Sequence, residues 1–141
     1  MIQTILNRLQ LVDGAEVREG FYAQGIAKEQ KFIFLQPHTD LFSAKNGIDK
    51  YRDDLALQVI AGINVTKTTS PTTDLINLVR DIRSAFFKDE RNLEKPSWLP
   101  LCISFKEAEP CKYIMPESHE KHALAVITLT LVHTVKFGER L

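Results

Sequence analysis

The chain has 141 residues, 44% of them hydrophobic and 26% charged, the balance of a globular domain that builds a core without metal or disulfide support. Eighteen basic side chains against eighteen acidic ones leave no net charge. That argues against wrapping nucleic acid by bulk electrostatics, leaves room only for a local basic patch, and weakens repulsion between copies.

Ile2, Ile5, Leu6 and Leu9 share one face of a short helix, which Asp13-Gly14 ends. Gln3, Asn7, Arg8 and Gln10 interrupt the apolar run that a signal peptide needs, and no segment approaches the ~18 apolar residues of a membrane span. The expectation is a cytoplasmic protein, with Cys102 and Cys111 reduced and packed as small hydrophobes. Residues 14 to 30 carry three glycines and five charges and read as a surface excursion, with a strand starting near Val17 or Phe21. Lys31-Phe32-Ile33-Phe34-Leu35 is a buried strand closed by Pro37. Residues 38 to 54, including Lys45 and Asn46, read as a long loop anchored by Leu41, Phe42 and Tyr51.

From Leu55 the odd positions Leu57, Val59, Ala61, Ile63 and Val65 are apolar, the period of a strand with one face on a core and the other partly wet. Ser70-Pro71-Thr72-Thr73-Asp74 is helix-start chemistry, with Ser70 or Thr72 as cap, Pro71 in the first turn and Asp74 at the positive end of the dipole. Leu75, Leu78, Val79, Ile82 and Phe86 follow at helical spacing. A charged break and the rigid Pro96-Ser97-Trp98-Leu99-Pro100 connector lead to a half-buried strand, Leu101, Ile103 and Phe105. A polar stretch turns at Pro110 and Pro116, and residues 123 to 137 then alternate as the strongest strand, ended by Gly138. Residues 55 to 66 span roughly 40 Å and residues 123 to 137 about 50 Å as strands. Such lengths imply either a bulge, with Gly62 the candidate, or ends that project beyond the domain; projection is the favoured reading.

No stretch declares a reaction. His119-Glu120-Lys121-His122 misses the spacing of a zinc protease and reads as a solvated loop, and Cys111 adds no complete ligand set. His133 reads as a histidine hydrogen-bonded in or beside the core. Phosphate-loop and nucleophile-elbow patterns do not occur. Asp13 with Glu29-Gln30-Lys31 is similar to the metal-binding carboxylates and lysine of one nuclease superfamily, without its expected proline. The outer face of the second helix carries Arg80, Asp81, Arg83 and Lys88, the residues expected at a subunit or partner interface.

The order of elements resembles the tail-terminator (tail completion) proteins of long-tailed bacteriophages, in particular the Mu-like contractile-tail prophages. The resemblance is carried by the Ile2 to Leu9 helix, the strand from Leu55 and the helix from Ser70. The Pro110-Cys-Lys-Tyr-Ile-Met-Pro-Glu turn and the closing strand from Ala123 complete it. It implies a hexameric ring that caps the tail tube, stops its polymerisation and presents the surface joining the head. Its partners would be itself, the tail-tube protein and the head-tail connector protein.

The expected fold is therefore α+β over one domain, residues 1 to 141: a mixed, mostly antiparallel twisted sheet with long strands packed against two helices. The expected function is non-enzymatic virion assembly, with no catalytic, metal or cofactor residue, no membrane and no direct nucleic-acid readout. The alternatives are a small metal-dependent nuclease using Asp13, Glu29 and Lys31, or a generic cytoplasmic binding module.

Overall fold

A computed structural model describes residues 1–44 and 47–141. Among these, the chain forms α1 (Ile2–Leu9), β1 (Glu16–Glu19), β2 (Lys31–Ser43), β3 (Lys50–Asn64), α2 (Pro71–Phe87), β4 (Ser104–Glu107), β5 (Lys112–Ile114) and β6 (His122–Lys136), with a 3-10 turn at Val65–Lys67. The strands make one mixed sheet in the order β1-β2-β3-β6-β4, and β5 also pairs with β6. Only the β1–β2 pairing is parallel. The fold is α+β, as the alternating and helical periods imply.

The period of two places the main core. Ile33 and Leu35 of β2, Leu57 to Ile63 at odd positions of β3, and Ala123 to Leu131 at odd positions of β6 all turn to the face that α1 and α2 cover. Ile5, Leu6 and Leu9 meet them from α1, and Leu75, Leu78, Val79, Ile82 and Phe86 from α2. Trp98 stacks on Phe86, its indole N–H donating to the Phe86 carbonyl at 2.8 Å, so the rigid connector is pinned to the C-terminal end of α2.

The opposite face is less wet than the sequence suggests. Phe32, Phe34 and Ile60 form a second small core under the segment after β1, where Ala27 is buried and Tyr22 stacks on Phe32 at 5.5 Å. The part of the residues 14 to 30 excursion that follows β1 is thus a cover over this second core. Gly62 is no bulge: it keeps register with both Phe32 and Leu124. The irregularity falls between Pro37 and Thr39, where β2 bends and continues instead of closing. β2 and β3 consequently form a long hairpin where residues 38 to 54 read as a loop; of the described residues in that range, only 44 and 47 to 49 lie outside the strands. Lys45 and Asn46 lie outside the described residues. Tertiary pairing overrode the polar composition, because each strand edge finds its hydrogen-bond partner across the hairpin whatever its side chains.

α2 begins at Pro71 as expected, but neither Ser70 nor Thr72 caps it by side chain. Thr68 does the work from outside the helix, accepting the Ser70 amide at 3.0 Å and donating to the Asp74 carboxylate. Cys102 is buried and Cys111 half-buried, both free thiols, with burial pushing both upward in pKa and so toward the unreactive form.

Candidate functional site

The four helix residues expected at an interface do not share one patch. An α-helix advances 100° per residue, so Arg80 and Arg83 share one side, whereas Asp81 and Lys88 share another with Ser84. Arg83 is committed within the chain: its Nε and Nη2 donate to the two Glu107 oxygens at 2.8 and 2.9 Å, tying α2 to β4. That bidentate pairing raises the guanidinium pKa further. Asp81 and Lys88 instead line a polar groove of about 430 Å³ between α2 and the end of α1, together with Arg8 and Asp13. Arg80 is exposed and acts electrostatically on Tyr113 of β5.

Of the nuclease-like trio, Lys31 does open β2, and its ammonium lies 3.4 Å from Asp13. The contact is to the backbone carbonyl, however, not the carboxylate, and Glu29 is exposed. Among the described residues no group of three or more histidine, cysteine or acidic side chains is arranged to hold a metal ion.

The largest departure from a compact domain is at the far end of the sheet. Past the helices, residues 36 to 43 of β2, 50 to 56 of β3 and 132 to 136 of β6 continue as a three-stranded arm. β1 pairs β2 only as far as Leu35, and β4 pairs β6 only as far as Val132, so among the described residues no further strand pairs the outer edge of β2 or of β6 along the arm. Its tip exposes Leu41, Phe42, Ile48 and Phe137, and Phe42, Tyr51 and Phe137 form a row with ring centroids 4.9 and 5.1 Å apart. Long edges with apolar side chains are what a monomeric protein avoids.

At the arm's base the register brings Asp40, Asp53 and His133 together. Asp53 and His133 are only 7% and 4% exposed, in a cleft also lined by Met1, Leu101 and Leu141. The Asp53 carboxyl is pushed up to about 7, first by burial, then by its hydrogen bond with Asp40 and the charges of Asp40 and Asp54. His133 Nε2 stands 3.8 Å from Asp53 Oδ2, whereas Asp53 Oδ1 and His133 Nδ1 are buried with no hydrogen-bond partner among the described residues. The position of His133 in the core was readable from strand alternation, but Asp53 lay in the stretch that reads as a loop. The signal that could have found it is the β6 alternation carried past His133 to Val135, which requires an equally long strand beside it.

A third feature lies at the other end of the sheet, where Val65, Leu75 and Ile76 face Tyr113, Ile114 and Met115 across an apolar groove of about 500 Å³. No known protein family matches the chain, and no curated protein shows significant similarity to it. No helix among the described residues is long and apolar enough to cross a membrane.

Proposed function

We propose that the protein is a non-enzymatic subunit of a bacteriophage or prophage tail, which caps the tail tube as a ring, ends its polymerisation and offers the surface that joins the head. The projecting arm carries this reading. Two outer strand edges that no described strand pairs and a cluster of exposed apolar side chains mark the arm, and pairing with a neighbouring copy covers both. Because β2 and β6 are different surfaces, joining the β2 edge of one copy to the β6 edge of the next is a heterologous contact, and a heterologous contact that closes makes a ring. The resemblance in element order supplies the tail tube and the connector as the partners on either side and six as the subunit number.

The near-zero net charge is consistent with a subunit built to associate. The test is solution mass combined with electron microscopy of the purified chain, alone and with tail tubes. Rings, or caps on tube ends, are the expected result. A protein that stays monomeric at high concentration and leaves tube ends bare removes this reading.

A further inference from the structure

Three segments meet at the end of the sheet opposite the arm, and each brings a lysine. Lys28 comes from the cover over the second face, Lys67 from the turn after β3 and Lys121 from the residue before β6. They line one cavity of about 460 Å³, within the size range of small-ligand sites. No carboxylate lines it, and among the described residues none of the three ammonium groups makes an ion pair. Like charges on the residues around one concavity repel each other and create a positive potential there, which an anion relieves. In a chain of zero net charge this is a local concentration, not a reflection of composition.

The walls are held in place by the fold rather than by the lysines. The Val65 amide donates to the Lys121 carbonyl at 2.8 Å, the Asn64 amide to the Gln30 carbonyl at 3.0 Å, and the Lys121 amide to the Gln24 side-chain oxygen at 2.9 Å. The Asn64 Oδ1 is occupied by both the amide and the hydroxyl of Thr66. The same two side chains keep donors in reserve: among the described residues no hydrogen bond uses the Asn64 Nδ2 or the Gln24 Nε2. Behind them His122 is 5% exposed, its Nδ1 held 2.7 Å from the Tyr22 hydroxyl. Burial and the Lys121 charge lower its pKa, while Glu120 opposes them. Glu120 is itself engaged in its own turn, where it accepts the Glu117 amide at 3.0 Å.

We infer that this cavity is a binding site for a compact phosphate-bearing anion of the diphosphate class. Three lysines and two side-chain amides lining one small concavity match clustered phosphoryl oxygens. A nucleic-acid track would need a continuing basic stripe along the surface, and the cavity is a single focus. This goes beyond the assembly reading and is independent of it.

Titration of the full-length protein with inorganic pyrophosphate, followed by calorimetry and by side-chain resonances of His122, Asn64 and Gln24, tests the inference. The expected result is saturable one-to-one binding with a Kd below about 1 mM, and perturbation confined to these residues. Lys67→Gln with Lys121→Gln, and Lys28→Gln separately, replace exposed side chains and leave the circular dichroism unchanged. The double substitution weakens binding by at least about tenfold. Adenosine diphosphate binding as tightly as pyrophosphate identifies a free phosphoanion as the source. Tighter, equally lysine-dependent binding of a short single strand of DNA identifies backbone phosphate instead. Absence of saturation, shifts reproduced by sodium chloride at matched ionic strength, or binding indifferent to the lysine substitutions overturns the inference.

Discussion

A Cβ built on Gly62 would lie 2.2 Å from the Cζ of Phe32, so this glycine exists to let an aromatic ring cross the strand. The ring has nowhere to retreat, being fully buried, stacked under Tyr22 and 4.8 Å from the His122 ring. Gly62→Ala therefore costs about 1–3 kcal/mol in chemical denaturation. Phe32→Leu in the same chain costs less than its effect in the parent, because both substitutions act on one space. Asp53 makes the opposite kind of prediction. Its folded-state pKa near 7 lies above the ordinary value of 3.8, so the folded state holds the proton more tightly than the unfolded chain does. Its contribution to stability is fully present below pH ~4 and is lost as the pH rises through about 7. Each unit of that difference corresponds to about 1.4 kcal/mol. Asp53→Asn keeps a donor toward Asp40 without the buried charge, so it stabilises the protein at pH 8 and flattens stability between pH 4 and 7. A parent whose stability is unchanged across that interval contradicts the assignment.

At the scale of elements, α2 shows how an exposed helix face divides its labour. The Arg83 side chain is 45% exposed despite its two hydrogen bonds to Glu107, so the surrounding water screens the pair. Arg83→Gln is expected to cost less than about 1 kcal/mol, whereas Arg80, which makes no side-chain hydrogen bond or ion pair among the described residues, is replaced in Arg80→Glu with the thermal midpoint unmoved. If the Arg80 side of α2 meets a partner, joining of heads to tails fails in Arg80→Glu with normal folding; normal particle yield assigns the interface elsewhere. The helix start is the sharper stability test. Thr68→Val removes both the acceptor for the Ser70 amide and the donor to Asp74, a loss of about 1 kcal/mol. The helix was legible from its apolar period and its proline, but the cap was not. Ser70 and Thr72 have the right chemistry at the right place, and the side chain that acts came from two residues further back because the chain enters the helix through an extended Thr68.

For the whole molecule, the arm is the feature that a single copy leaves unexplained. Leu41 is 64% exposed and Ile48 fully so, and neither contributes to either core. Leu41→Lys with Ile48→Lys thus leaves the unfolding midpoint unchanged while, on the proposed ring assembly, converting rings to monomers in light scattering, since a charged edge resists strand pairing. Rings that persist in this variant would place the subunit contact off the arm. The two ends of the sheet differ in kind: exposed aromatic and aliphatic side chains on unpaired strand edges at one, a lysine-lined cavity beside an apolar groove at the other.

The sequence by itself determined the periods. Alternation set which side chains of β3 and β6 enter the core, and the 3.6-residue spacing set the buried faces of α1 and α2, because those patterns depend only on neighbours along the chain. The length of the strands implied either a bulge or projecting ends, without deciding between them. What only the tertiary structure decided is which distant residues meet. Strand pairing turned an apparent loop into the arm and brought Asp40 and Asp53 to His133. Folding of the cover segment brought Lys28 to Lys67 and Lys121. No local period encodes such meetings, since each is a product of register and chain crossing, and the same residues set one position out of register would face opposite sides of the sheet.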